Sequence, residues 1–132
     1  MSIQVELSDL AVTVARYRFA YLLTVSDESL PHALAVTPAV DGDALTVDGI
    51  GRHTQNNLLA RPGVTLVWPP ESVDEYSLIV DGQAAASGEK SVRITPIRAV
   101  LHRPAPRPGP VAEGACGSDC VELPLRTEPS SG

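Results

Sequence analysis

The chain has 132 residues, 10 Lys and Arg against 16 Asp and Glu, and is 43% hydrophobic but only 4% aromatic. That length suffices for one domain with a core and is too short for two, and 20% charged residues fit a globular chain rather than a disordered one. A net charge of −6 and an isoelectric point near 4.9 leave nothing to replace phosphate counterions in bulk, so no nucleic-acid partner is expected. The longest uncharged, mostly apolar run near the start, Phe19 to Ser26, is far short of a membrane span, so no membrane partner is expected either. Met1 to Val5 carry no basic leader region, which makes the cytoplasm the expected location.

Ser8 is a candidate N-cap, and Leu10, Val14 and Tyr17 are spaced to share one face of a helix ending near Arg18. From Phe19 the period shortens to two, predicting a strand to Ser26 and a turn at Asp27-Glu28-Ser29. A second strand is expected over His32 to Val40, with Pro38 demanding an edge or a bulge near its end. Asp41-Gly42-Asp43 is the strongest hairpin signal, returning as a strand over Ala44 to Asp48.

Thr54 to Ala60 reads as a short helix stopped before Pro62, and Val64 to Trp68 as a fully apolar strand. Ser77 to Ser87 predicts a long strand with a bulge or close approach at Gly82. Ser91 to Leu101, interrupted by Pro96, completes six strands and two short helices. Hairpins dominate, which points to a small antiparallel barrel rather than a doubly wound sheet.

The composition changes after Arg103: Pro104, Pro106, Pro108 and Pro110 alternate, which no helix or interior strand tolerates. The chain is therefore divided into a folded domain over 1–103, its ordered unit starting near residue 3, and a disordered Pro/Gly-rich tail over 104–132. The chain's only cysteines, Cys116 and Cys120, lie in that tail; two thiols cannot complete a four-ligand structural zinc site, and a redox or partner-binding role stands beside plain free thiols.

The segment able to carry chemistry is Asp48-Gly49-Ile50-Gly51-Arg52-His53-Thr54. Two glycines leave a strand, and a cation, an imidazole and a hydroxyl follow at a helix start, where free amides favour an anion such as phosphate. Arg52 offers a forked, charge-assisted contact and Thr54 a hydroxyl donor. The alternative is a plain connection capped by Asp48 or Thr54, with Arg52 and His53 in solvent. Neither a Walker loop nor a Rossmann fingerprint is present. His32, His53 and His102 show no metal-ligand spacing, and no metal or catalytic residue is assigned.

The order of these pieces, from Tyr21-Leu22-Leu23-Thr24-Val25 through Gly51-Arg52-His53-Thr54, Asn57-Leu58 and Arg61-Pro62-Gly63-Val64 to Val80-Asp81-Gly82 and Ile94-Thr95-Pro96, carries a resemblance over about residues 8–103. There the chain resembles the FMN-binding split-barrel superfamily, the pyridoxamine 5′-phosphate oxidase-like proteins. The resemblance implies a six-stranded antiparallel split barrel of Greek-key type, a homodimer, and a flavin held at the subunit interface.

It also implies an oxidoreductase acting on a small-molecule substrate with FMN, or alternatively F420, or else a non-catalytic module holding flavin or haem. By the same resemblance Arg52, His53 and Thr54 match the phosphate grip and Asn57 the helix position facing the cofactor. Ser77 matches a residue reaching across from the second subunit, and the strand around Leu34 and Val36 matches the wall beside the ring. Thr54 stands where many members of that family carry Lys.

Overall fold

The structure, a computed structural model, describes residues 1–104. The expected tail over 104–132, with Cys116 and Cys120, otherwise lies outside the described residues. Strands run β1 Ser2–Gln4, β2 Ala20–Val25, β3 Pro31–Val36, β4 Ala39–Asp41, β5 Ala44–Asp48, β6 Gly63–Trp68, β7 Ser77–Gly88 and β8 Ser91–His102. A 3₁₀ turn over Leu7–Asp9 leads into α1, Leu10–Val14, and α2 spans Arg52–Ala60. All pairings are antiparallel, in the order β3-β2-β6-β7-β8-β5-β4, with β1 beside β8.

Pro38 explains why one expected strand became two. Lacking an N–H, it ends β3 at Val36, and β4 resumes at Ala39 against a different neighbour, β5. These two strands are the ends of the path, yet only Thr37 and Pro38 separate them. Three Cα steps of 3.8 Å hold Val36 and Ala39 within about 11 Å, so the sheet curls round to a seam without ladder bonds. The result is a split barrel with eight strands in place of the expected six. The additions are β1 and the piece that Pro38 detaches.

The opening helix is shorter than expected. Thr13 turns its hydroxyl back to the Asp9 carbonyl (2.9 Å), and α1 tightens through Arg16 N–H to the Thr13 carbonyl and Tyr17 N–H to the Val14 carbonyl. Ser8 therefore sits inside a 3₁₀ turn and caps nothing by its side chain. Leu10, Val14 and Tyr17 nevertheless face the core together.

Inside the barrel Leu22, Leu66, Trp68, Leu78 and Ile94 are fully buried, joined by Leu58 from α2 and Ile50 from the loop before it. The β7–β8 hairpin is the longest element, and its register shifts between Asp81 and Gly82, opposite Pro96. A Cβ on Gly82 would lie 2.7 Å from both Ile94 Cγ2 and the Thr95 carbonyl oxygen, so only glycine fits there. Gly82→Ala is expected to destabilise the fold by about 1–3 kcal/mol, read as a lower urea midpoint at unchanged slope. An unchanged midpoint would show that the bend tolerates a side chain.

Candidate functional site

The bend from β5 into α2 is built by its glycines. Gly49 takes φ +79°, and Gly51 caps the helix in extended geometry with no side chain bonding the first amides. Nothing lies within 4 Å of a Cβ built on either glycine, so the bend faces open space. The first helical turn closes at Gln55 N–H to the Gly51 carbonyl (3.0 Å), leaving the N–H groups of Arg52, His53 and Thr54 without helical partners. The helix dipole adds partial positive charge there.

The bend is pinned to the tip of the β7–β8 hairpin by Ile50 N–H donating to the Lys90 carbonyl (3.1 Å). Asp48 is engaged nearby, accepting from the Ser91 hydroxyl at 2.7 Å, and caps nothing. Between bend and tip lies a cleft of about 520 Å³ bordered by Gly49, Gly51, Arg52, Gln55, Glu89 and Lys90. Glu89 and Lys90 were not singled out by sequence. Some forty residues on from the bend, they reach it only through the hairpin, and a turn of mixed charge carries no local signal.

Each expected site residue has a definite place. Arg52 and His53 are exposed at the helix start. Thr54 is 3% and Asn57 9% exposed, both turned toward the sheet with Leu58. Asn57 Nδ2 donates to Thr24 Oγ1 on β2 at 3.1 Å, a bond buried at both ends. At the other end of α2, Arg61 reaches Asp27 at 3.0 Å, fastening the helix to the β2–β3 turn.

Leu34 is half-buried and Val36 buried, their side chains packed on the core and their strand at the open edge of the sheet. Ser77 stands apart. It pairs with His102 at the root of the hairpin, whereas Lys90 and the bend lie at its tip. Eleven residue steps at about 3.3 Å each put about 36 Å of strand between them. One protomer therefore does not bring Ser77 and Arg52 together.

The root has its own polar features. Tyr17 donates its hydroxyl to the Tyr76 carbonyl at 2.8 Å. Burial pushes the Tyr17 phenol above its usual value of 10.0; Arg16 lowers it and Glu75 raises it by smaller amounts. None of the helices among the described residues is long and apolar enough to cross a membrane.

An antiparallel sheet curled to a seam, with a short helix packed against β2 and β7, defines the class: the chain has the split-barrel fold of the pyridoxamine 5′-phosphate oxidase-like proteins. One similar solved structure is a Listeria innocua protein provisionally assigned as a pyridoxamine 5′-phosphate oxidase, at TM-score 0.59, 16% identity and coverage of 72% of this chain and 96% of that one. An FAD-binding protein of Mycobacterium smegmatis follows at TM-score 0.57, 13% identity and coverage of 76% and 97%. An F420 reductase matches at TM-score 0.53, 16% identity and coverage of 61% and 87%. At such identities the likeness is one of fold.

No protein-family model matches the sequence. By sequence, the chain belongs to one family with an uncharacterized protein of Mycobacterium bovis and another of Mycobacterium tuberculosis. It is 43% identical to each over 133 residues, covering 89% of this chain and 94% of each relative.

Two predictions follow from these contacts. Thr24→Val or Asn57→Leu alone strands a buried polar partner and should cost about 1–3 kcal/mol in denaturant unfolding. The double variant should recover part of that loss; strictly additive losses would show that the two side chains are not coupled. The second concerns pH. Because the folded phenol of Tyr17 lies above the unfolded value of 10.0, its contribution is fully present below pH 10.0 and is lost as pH rises through the folded value. Tyr17→Phe should thus show a shallower alkaline decline in stability than the parent chain, and equal slopes would refute this.

Proposed function

We propose that the protein is a flavin-dependent oxidoreductase that holds FMN, or alternatively the deazaflavin F420, between two copies of the chain and moves hydride to or from a small organic substrate. The observation that carries this reading is the open bend at Gly49–Arg52. Three free helix-start amides, with the Arg52 guanidinium and the Lys90 side chain at the same cleft, suit a phosphate. Thr54 takes part through its backbone N–H, since its side chain is buried. His53 stands exposed beside the same amides. Asn57 acts through Thr24, holding the helix so that its amides keep their aim.

Distance and surface chemistry both support a second copy. Ser77 can border a cofactor gripped by Arg52 only if it comes from another protomer. The outer face of the sheet carries an apolar row, Ala35, Tyr21, Val67 and Ile79, paired across four strands. Tyr21 is 40% exposed and meets Phe19 edge to face, and such a contiguous face marks an interaction surface. The backbone edge of β3 at Leu34 and Val36 would then border the ring.

A bound flavin or deazaflavin supplies the hydride chemistry; the chain supplies grip, orientation and exclusion of water. The names of proteins sharing this fold, one FAD-binding and one an F420 reductase, support a cofactor of this type. The cytoplasm remains the expected setting.

The test is titration of the purified full chain with FMN and F420, followed by absorbance and sedimentation. The parent should bind one of them as a dimer, and Arg52→Ala should weaken binding about tenfold to a hundredfold, the loss expected for a charged hydrogen bond. A mixed dimer of Arg52→Ala and Ser77→Tyr chains should regain one site of two. A monomer, or unchanged affinity in Arg52→Ala, would overturn the reading. Cofactor binding without turnover of NAD(P)H or reduced F420 across a substrate panel would reduce it to a holding module.

A further inference from the structure

At the root of the hairpin, away from the bend, a second cleft of about 220 Å³ lies between the end of the α1 turn and the loop before β7. Arg16 and Arg18 border it from one segment, Glu71 and Glu75 from the other, with Tyr17 and Tyr76 between them. The ion pairs among the described residues lie elsewhere: Arg61–Asp27, Arg93–Asp41 and Arg98–Asp81. Two cations and two anions thus surround one small space without pairing across it.

Tyr17 feels both signs, Arg16 lowering and Glu75 raising its phenol, in keeping with both charges bordering the same cleft. Its hydroxyl is already committed to the Tyr76 carbonyl, so recognition falls to the charged groups. We propose that this cleft binds a small zwitterion of amino-acid type, its carboxylate on Arg16 and Arg18 and its ammonium on Glu71 and Glu75.

Size agrees. At about 30 Å³ per water the space holds roughly seven waters, enough for an amino acid together with some solvent. A neighbouring cleft of about 400 Å³ shares the Glu71 and Glu75 wall and continues to Ser77 and His102, giving room for a ligand's side chain. A guanidinium matches a carboxylate through forked hydrogen bonds, and two carboxylates bordering one cleft suit an ammonium. A molecule carrying one charge satisfies only half of the cleft.

The test uses the ¹⁵N-labelled full chain and titrates glycine, L-serine and L-leucine. Acetate, methylamine, N-acetyl-leucine and leucinamide serve as probes lacking one of the two charges. Zwitterions should give saturable amide shifts confined to residues 16–18 and 71–77, and the singly charged probes should bind at least tenfold more weakly. Arg16→Gln/Arg18→Gln should abolish the preference for a carboxylate, and Glu71→Gln/Glu75→Gln that for an ammonium. All four side chains are exposed, so the variants should keep the dispersed spectrum that certifies folding.

Equal binding of singly charged probes, unchanged affinity in the double variants, or no saturable shift at tens of millimolar zwitterion would overturn the proposal. Cofactor titration reads Arg52 and this one does not, so each reading can fail without the other.

Discussion

The bend in the β7–β8 hairpin is the constraint from which the rest of the architecture follows. Gly82 leaves no room for a Cβ, and Pro96 opposite it offers no N–H, so the ladder slips and the two arms turn together. Up to and across the bend β7 carries β6, through the Leu78–Trp68 to Gln83–Gly63 register. Beyond it β8 carries β5 from Ser91 to Ile94, and at its far end it carries β1. A straight hairpin of this length would favour a flat, open sheet. The bent one lets neighbours on both sides close on a common core.

The same element divides the chemistry. Its tip delivers Lys90 to the bend before α2, while its root delivers Ser77 and His102 to the loop bearing Glu71 and Glu75. The length of the hairpin therefore sets the separation of two polar regions. A ligand bound at one end of a protomer meets the other end only across a contact between copies. On the proposed reading, a dimer would serve the geometry of binding as well as cover apolar surface.

Local chemistry made much of this legible. The Asp41-Gly42-Asp43 turn appears with Gly42 at φ +63°, β5 has the expected bounds, and the breaks at Pro38, Pro62 and Gly82 act where steric rules place them. The short strand β1 was invisible because its pairing is remote: Ser2 sits against His102. The shortness of α1 lay in Thr13, whose bond back to Asp9 competes with regular helix, a choice that periodicity does not report. At α2 a usable signal existed. Thr54, Asn57 and Leu58 lie three and four positions apart, so they share the face that buries Leu58.

That orientation changes how the neutral residue at position 54 is understood. Read from sequence, Thr54 substitutes a hydroxyl for the ammonium of a lysine. In the folded chain its side chain points away from the cleft, and only its amide faces the helix start. Positive charge at the bend then rests on Arg52 and Lys90, which approach from different segments, with Glu89 bordering the same cleft. Both cations are long, solvated side chains, so their attraction for an anion is screened by salt, whereas the amides and the helix dipole are fixed in place. On the proposed reading the backbone would set the position of a phosphate and the side chains would add affinity, and the Asn57–Thr24 bond fastens the helix that carries those amides to β2.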